Sequence, residues 1–434
     1  MDNDNRSNSN GNNGNNSDFK WDPLRFISKN PGKALKKVDK RLDDLEKESF
    51  NDKKDKEENL PNIFSLYGVT RRDFLKWSAF LTSALMLPYI FRPRVARAAN
   101  ILTRTPFIWL DMADCMGNTE AFIRNANPTP AEIILNYVSV NYMESIMAPA
   151  GYQAEARRIE TVKKDKGKYI LVVEGAIPTG MDGKFLTIGA KGDTGLKIVK
   201  ETAKNADIII AIGNCAAYGG IPAAAPNPTA AVGLSSVTNR SVINIPACPA
   251  NPVNVVGTLV EYILIGKAPQ LDNLGRPLWA YSGRLHDNCY RRGHFEAGEY
   301  VKHWGDEGAK KEYCLYMMGC KGPFTWNNCT TVEYNQDISF PMRAGHGCIG
   351  CSQPAFWDRM TPFEKPNADA KIILPGVEAT ADEFGVALLG AAGVGIAAHA
   401  VYTGIKKKRE AKKSSSKNEK TDSDDKGNKD NKDN

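Results

Sequence analysis

Short apolar runs in the middle of the chain indicate its fold class. Four runs rich in isoleucine and valine each end in a polar, glycine or proline turn: FIWLDMADC, KYILVVEG, ADIIIAIGNC and SVINIPAC. Two further segments, AEIILNYVSVNYMESIM and NVVGTLVEYILIG, are predicted to be helices. Continuous apolar strands that alternate with helices are typical of a parallel sheet covered on both faces. The pattern therefore predicts a doubly wound α/β domain.

Cysteines follow three of the four predicted strands. They are Cys115, Cys215 and Cys248, while Glu174 stands at the end of the remaining strand. Ligands of doubly wound sheets bind beyond the carboxyl ends of the strands. One free cysteine is often only a core residue, but three at equivalent strand ends favour a ligand site.

After about Gly266, the apolar residues follow neither the helical nor the strand period, and cysteine becomes frequent. The stretch reads HDNCYRRGHF, CLYMMGCKGPFTWNNC and GHGCIGCSQPAFWD, and it holds six of the nine cysteines. Its HxxC and CxxC spacings are typical of iron–sulfur or zinc ligands. Nine is an odd number, so disulfides cannot use every cysteine. We expect a metal centre to hold this region together.

The N-terminal part contains a predicted export signal. Residues 1–65 are low in complexity and are predicted to be disordered, although Lys33–Glu48 could form a charged helix with little to bury. Residues 66–99 combine the paired arginines of TRRDFLK, a short apolar run and an A-x-A site. These features are typical of a twin-arginine signal peptide. We expect cleavage after Ala98 or Ala99.

The C-terminal part contains a predicted membrane helix. TPFEKPNADAKIILPG reads as a loop-rich linker, and Phe384–Ile405 then runs without a charged residue. This run spans about 33 Å as a helix, against a hydrocarbon core of about 30 Å; a buried soluble helix is the alternative. The basic residues that begin the tail 406–434 place that tail in the cytoplasm and the cysteine region outside. The rest of the tail is predicted to be disordered.

The charge of the chain argues against one class of partner. The net charge of +7 comes from 57 Lys+Arg against 50 Asp+Glu, and much of the excess lies near the ends. A mild and dispersed excess does not indicate nucleic-acid binding.

Taken together, the motifs resemble those of a known family. VEGAIPTG, GNCAAYGG, ACPANP, HDNC-x-RRGHF, CLYMMGCKGP, NNC and AGHGCIGCSQPAFWD are similar to motifs of the small, electron-transferring subunit of membrane-bound [NiFe] hydrogenases. The resemblance covers about Phe107–Ile405. It implies a flavodoxin-like domain over 100–270, an irregular iron–sulfur domain over 271–370 and a transmembrane helix over 384–405.

The resemblance also implies three clusters with defined ligands. The proximal cluster, nearest the active site of the partner, takes Cys115, Cys215 and Cys248. The distal cluster is a [4Fe-4S] held by His286, Cys289, Cys314 and Cys320. The medial cluster is a [3Fe-4S] held by Cys329, Cys348 and Cys351, with Pro341 where a fourth cysteine would otherwise lie.

The proximal motif departs from the family. The family has Cys-x-Gly-Cys, whereas this chain reads Cys115-Met116-Gly117-Asn118 and has no spare cysteine. Either an oxygen ligand completes a [4Fe-4S] cluster, which we favour, or the site holds a three-iron cluster. Candidate oxygens are the Asn118 amide, Asp114 and water. The neighbouring carboxylates Glu120 and Glu174 could line the interface, move protons or simply cap helices.

The resemblance implies an electron relay and no catalysis by this chain alone. Electrons from H2 oxidation on a large subunit would pass through the three clusters to a membrane cytochrome b, or an equivalent quinone-linked subunit. The chain lacks the paired CxxC motifs that bind nickel and iron in the family's large subunit. Two alternatives remain at this stage. One is an iron–sulfur subunit of another exported oxidoreductase, since respiratory complex I uses a related domain; the other is a zinc-stabilised surface domain.

Overall fold

The computed structural model of the protein describes residues 31–49, 71–102, 105–124, 139–334, 338–367, 371–374 and 377–424. Within these ranges, the strands are β1 (Pro106–Asp111), β2 (Ser139–Met143), β3 (Ile170–Glu174), β4 (Ile177–Pro178), β5 (Thr187–Ile188), β6 (Asp193–Thr194), β7 (Ile208–Ile212), β8 (Ala231–Val232), β9 (Ile243–Ile245), β10 (Lys371–Leu374) and β11 (Val377–Thr380).

The α-helices of the same ranges are α1 (Pro31–Ser49), α2 (Arg71–Ala84), α3 (Arg92–Leu102), α4 (Gly117–Ile123), α5 (Gly151–Lys164), α6 (Gly195–Ala203), α7 (Gly213–Tyr218), α8 (Pro252–Ile265), α9 (Leu278–Tyr281), α10 (Arg292–Glu296), α11 (Glu307–Lys310), α12 (Cys329–Val332), α13 (Phe356–Arg359) and α14 (Ala381–Asp424). Short 3-10 turns lie at Tyr89–Phe91, Gly180–Gly183, Ile221–Ala223, Leu234–Ser236, Tyr316–Met318 and Gly322–Phe324.

A parallel sheet of five strands forms the centre of the fold, in the order β2-β1-β3-β7-β9. Counted along the chain, these five strands lie in the order 2-1-3-4-5, which is the order of flavodoxin-like doubly wound sheets. The direction of winding reverses between β1 and β3. Ligands of such sheets bind outside the carboxyl ends of the strands at this switch point. The predicted parallel α/β sheet is confirmed.

Both faces of the sheet are buried because successive strand residues point to opposite sides. Phe107 and Trp109 of β1 enter one apolar core, which α8 and the N-terminal helices α1, α2 and α3 cover. Ile108 and Leu110 enter the other core, which α5 and α6 cover. This arrangement explains why the strands are almost continuously apolar.

Two elements differ from the sequence predictions. The second half of AEIILNYVSVNYMESIM was expected to be helical but forms β2, and its first half lies outside the described residues. Val140 and Tyr142 of β2 are residues that favour strands, and β2 lies beside β1 at the edge of the sheet. The predicted linker after residue 361 contains β10, which pairs with β11 in a hairpin.

The N-terminal region contains more regular structure than expected. Disorder was predicted for 1–65, yet α1 forms within it and buries Val38 and Leu42; residues 1–30 and 50–65 lie outside the described residues. The predicted signal segment forms α2 and α3, and α3 continues past the expected boundary at residue 99. The physical reason is tertiary packing, because the apolar stripes of these helices lie in the core beside α8.

Between the end of α8 and residue 367, the described chain consists of turns and helices of four or five residues, as predicted. A small core holds it together, in which Leu285, Val301 and Leu315 pack with cysteines. Nearly all of the two predicted domains, 100–270 and 271–370, lies in one compact unit; their division into two domains stays a prediction.

A second unit comprises residues 293–299 and 368–434. Its main element is α14, which runs for 44 residues and so extends beyond the predicted 384–405 into the tail that was expected to be disordered. The segment Val386–Glu410 is long and apolar enough to cross a membrane, by length and composition only, and it is not buried within the protein.

Candidate functional site

The first thiol set lies at the carboxyl edge of the sheet. Cys115 follows β1, Cys215 lies in α7 directly after β7, and Cys248 follows β9. Burial, together with the neighbouring Cys248 and Cys115 thiols, raises the pKa of Cys215 to about 11. The structure therefore brings together three cysteines that are far apart in sequence. Cys115 and Cys248 reach the surface of the chain.

Two glycines let the backbone approach these thiols. Gly220 has φ +51°, and a Cβ there would lie 2.6 Å from the Cys215 Sγ. A Cβ on Gly117 would lie 3.1 Å from the Cys115 Sγ. Any larger residue at Gly220 would therefore displace the thiol, and its positive φ would also strain other residue types.

Asn118 is held by the protein itself. Its backbone and side-chain N–H groups donate to Glu174 Oε1 at 2.8 and 2.9 Å, and its Oδ1 accepts the Ala250 N–H at 2.8 Å. Thr119 donates its N–H and hydroxyl to Glu174 Oε2 at 2.9 and 2.7 Å. These contacts give Asn118 and the buried Glu174 a role in holding the turn after Cys115. A ligand role for Asn118 stays a prediction, and Glu120 is exposed and paired with Arg124.

Asp114 differs from Asn118 in having an oxygen to spare. Its Oδ1 accepts the Met116 N–H at 3.2 Å, whereas its Oδ2 is buried with no hydrogen-bond partner among the described residues. Burial, together with the charge of Glu174, raises the pKa of Asp114 to about 6. Asp114 also lies close enough to Cys215 to raise the pKa of that thiol. A buried, unpaired carboxylate oxygen near a thiol of this set is suited to bind a cation.

The second thiol set comprises Cys329, Cys348 and Cys351. Burial raises the pKa of Cys329 to about 12, and the Cys348 thiol adds to the effect. Burial also raises the pKa of Cys348, to which Cys320 and Cys351 contribute. The Gly350 N–H donates to the Cys348 Sγ at 3.3 Å. Pro341 is exposed, and its carbonyl accepts the His346 N–H, so its proposed place at this site stays a prediction.

The third set lines a small cavity, whose walls include His286, Cys289, Cys314 and Cys320. Burial, together with the Cys320 and Cys289 thiols, raises the pKa of Cys314 to about 12, while Arg291 opposes the shift. Arg291 is itself buried and donates to the Tyr313 carbonyl at 2.7 Å.

The three sets adjoin one another in a fixed order. Cys248 lies close enough to Cys351 to influence the pKa of its thiol, which places the first set beside the second. The Cys348 N–H donates to the Cys320 Sγ at 3.3 Å, which links the second set to the third. The order along the molecule is therefore first, second, third.

Two further residues of this junction were not predicted from the sequence. The Asn214 Nδ2 donates to the carbonyls of Cys351 and Gln353, both at 2.9 Å. The Tyr334 hydroxyl donates to the Pro249 carbonyl at 2.9 Å and also interacts with the Cys329 thiol. Asn214 stands beside Cys215 in the GNC motif, which was a usable signal, whereas nothing in the sequence distinguishes Tyr334.

The donors fit iron–sulfur chemistry. Thiolates with one imidazole are the ligands of such clusters, and the glycines described above leave room at the first thiols. In the described part of the chain, no three His, Cys, Asp or Glu side chains lie close enough to share a single metal ion.

A doubly wound sheet with thiols at the carboxyl ends of its strands, followed by two further adjoining thiol sets, is the architecture of an iron–sulfur electron-transfer protein. Comparison with known families supports this class. The family described as the C-terminal part of the NiFe/NiFeSe hydrogenase small subunit matches residues 281–364, and the family of the 20 Kd subunit of NADH ubiquinone oxidoreductase matches residues 115–262.

Individual relatives agree. The chain is 49% identical over 347 residues to the quinone-reactive Ni/Fe-hydrogenase small chain of Wolinella succinogenes, covering 79% of this chain and 98% of the relative. It is 44% identical over 351 residues to the uptake hydrogenase small subunit of Azotobacter vinelandii, covering 81% and 97%. The chain belongs to the small-subunit family of [NiFe] hydrogenases, the electron-transfer subunits that pair with a NiFe large subunit.

Solved structures show the same likeness. The [NiFeSe] hydrogenase of Desulfomicrobium baculatum matches with a TM-score of 0.57 and 31% identity, over 61% of this chain and 99% of that chain. The actinobacterial-type NiFe-hydrogenase of Ralstonia eutropha H16 matches with a TM-score of 0.56 and 25% identity, over 65% and 88%. The predicted family and the predicted role as a hydrogenase subunit are confirmed, and these matches do not support the zinc-stabilised alternative.

Proposed function

We propose that this chain relays electrons from H2 oxidation on its large subunit, through three iron–sulfur clusters, to a membrane cytochrome b or an equivalent quinone-linked subunit. The observation that carries the proposal is that the second thiol set lies beside the first and is hydrogen-bonded to the third. The first set reaches the surface of the chain, where a partner could approach it. Clusters bound at these sites would supply one-electron redox centres.

The proposed ligands follow the three sets. The proximal cluster would be held by Cys115, Cys215 and Cys248. The medial [3Fe-4S] would be held by Cys329, Cys348 and Cys351. The distal [4Fe-4S] would be held by His286, Cys289, Cys314 and Cys320. Most thiols of the last two sets are buried, which limits their contact with water.

For the proximal cluster, the structure favours Asp114 as the non-cysteine ligand. Asn118 uses its amide for hydrogen bonds to Glu174 and Ala250. Asp114 keeps one buried oxygen without a partner among the described residues. We therefore propose a [4Fe-4S] cluster with an Asp114 carboxylate, in preference to a three-iron cluster.

The proposed location is the cell membrane, with the cysteine-rich unit on the extracytoplasmic side after export by the twin-arginine route. The apolar part of α14 supports a membrane anchor, and its basic end at Lys406–Arg409 would remain in the cytoplasm. A relative from Wolinella succinogenes is named quinone-reactive, which supports a quinone-linked acceptor. The uptake direction follows the names of several relatives.

The test is anaerobic purification of the full chain together with its large subunit. We expect iron and inorganic sulfide for three clusters, nickel on the partner, and cluster signals in electron paramagnetic resonance that change on addition of H2. A preparation that contains the partner and nickel but lacks iron and sulfide on this chain would contradict the proposal.

The relay order has its own test. In a Cys348→Ser variant, H2 should still reduce the proximal cluster, while reduction of the distal cluster slows by about tenfold or more. Equal rates at both clusters would contradict the order.

A further inference from the structure

The N-terminal helix α1 packs directly on the segment predicted to be an export signal. α1 buries Val38 and Leu42, and α3 buries Val95 and Ala98, all in the core that lies beside α8. This contact joins a part of the chain that precedes the signal to the signal itself.

Charge complementarity reinforces the contact. Asp39, Asp43 and Glu46 lie at i, i+4 and i+7 and so share one face of α1. They face Arg94 and Arg97, which lie one turn apart on α3. The Arg94 Nη2 to Asp39 Oδ2 distance is 2.7 Å, and the Arg97 Nη2 to Asp43 Oδ1 distance is 2.6 Å. Arg97 also binds both carboxylate oxygens of Glu46 at 2.9 Å.

α1 is anchored to the folded body at a second point. The Arg41 Nε donates to the Ile263 carbonyl at 2.9 Å, in the last turn of α8. Gly266 then ends α8 with φ +71°, and a Cβ there would lie 2.3 Å from the Arg41 Cζ. Arg41 therefore satisfies a free carbonyl at a helix end, where a cation is also favoured by the helix dipole.

The expected cleavage site lies inside this arrangement. Ala98 is fully buried, and the backbone around it is helical. Proteolysis favours exposed and unfolded backbone, so α3 must leave the body before the chain can be cut after Ala98 or Ala99. Each contact that α1 makes to α3 lowers the population of that open form.

We propose that α1 is a clamp that holds the export segment closed on the folded body, and that its release controls access to the cleavage site. The partner of the acidic face of α1 is thus the basic face of α3 in the same chain. The clamp itself is independent of the proposed function; only its link to cleavage rests on the proposed export.

The first experiment measures hydrogen exchange of residues 92–102 by mass spectrometry in the full-length chain, prepared anaerobically in a host that does not export it. The variant Asp39→Asn/Asp43→Asn/Glu46→Gln removes the three carboxylates and keeps the length of each side chain. We expect exchange in α3 to rise about fivefold or more, because all of the ion pairs between α1 and α3 described above are lost together. The control is Asp44→Asn, because Asp44 lies on α1 but outside these ion pairs. In this variant, α3 should exchange at the parent rate.

A charge swap separates pairing from simple loss of fold. Asp39→Arg and Arg94→Asp should each speed exchange, and the double variant should return it towards the parent rate. Unchanged exchange in the triple variant, or no recovery in the swap, overturns the clamp.

Cleavage is then followed by pulse-chase labelling in an exporting host, with the start of the mature chain determined by sequencing. The triple variant should be processed severalfold faster than the parent and than Asp44→Asn. Faster exchange with no processing in any variant would leave the clamp standing, overturn its link to cleavage and count against the proposed export. If the triple variant exchanges faster than the parent but is processed at the same rate, the clamp would stand and its control of cleavage would be overturned.

Discussion

At the scale of single residues, Glu174 shows how one side chain can hold the backbone of a site in place. Its buried carboxylate accepts four hydrogen bonds from Asn118 and Thr119 and so holds the turn after Cys115. The motif VEGAIPTG marked Glu174, but an interface, proton-transfer or capping role remained open from the sequence. Its partners lie more than 50 residues away in the chain, so only the folded sheet could reveal the capping role.

Asp114 gives a first prediction at this scale. Asp114→Ala should change the resonance spectrum of the reduced proximal cluster and lower its iron content, because the spare oxygen is lost. Asn118→Cys restores the family's motif and should also change this spectrum if the new thiolate displaces the carboxylate. Glu120→Ala, which removes a nearby exposed carboxylate, is the matched control. A wild-type spectrum in Asp114→Ala would show that this carboxylate does not bind the cluster.

Gly220 gives a second prediction. Gly220→Ala should lower proximal iron severalfold, since the new Cβ would press on the Cys215 sulfur. Gly167→Ala is the matched control, because Gly167 also has a positive φ, +75°, yet nothing lies within 4 Å of its Cβ position. That variant should cost about 1 kcal/mol of stability and leave the iron unchanged. Iron analysis and thermal unfolding measure both effects, and similar iron loss in the two variants would count against a local clash.

At the scale of elements, the central strands and α8 were predictable because buried strands and helices leave strong apolar patterns. β2 was not predictable, since its segment mixes the helical and the strand period. It forms a strand because it pairs with β1. α1 was also missed as a stable element, because its few apolar residues gain stability only by packing beside α8. Local pattern thus failed where tertiary contact decides.

The apolar part of α14 gives a prediction at the element scale. Gly395→Arg places a charge in the middle of the candidate span and should move the protein from the membrane to the soluble fraction, because burying a charge in hydrocarbon is costly. Gly404→Arg is the control, since near the basic end a long side chain can reach the headgroups. Nothing lies within 4 Å of the Cβ position of either glycine. Membrane flotation that is unchanged in Gly395→Arg would argue against a span.

At the scale of the whole molecule, the sheet and most of the cysteine-rich region belong to one compact unit. The sequence predicts two domains because the helical and strand periods stop near Gly266. The structure adds a link between the two regions, since Asn214 donates to the carbonyls of Cys351 and Gln353. Composition can show where regular elements end, but it cannot show which loops share hydrogen bonds.

Removal of iron tests this scale. Treatment with a chelator under reducing, anaerobic conditions should raise hydrogen exchange strongly across the 300–364 region, because its own apolar core is small and includes several cysteines. Amides of β7, buried in the sheet, should stay protected. The control is the same chelator saturated with iron. Unchanged exchange across 300–364 after iron loss would show that the clusters do not hold this region together.

The hydrogen bonds of Asn214 also bear on how such a chain can be inherited. Cutting or recombining the gene near the end of α8 would leave the Asn214 amide without its two carbonyls and separate Cys248 from Cys351. A first half joined at this point to a foreign second half would therefore need new acceptors for the Asn214 amide. We expect hybrid genes that lack these acceptors to yield insoluble products.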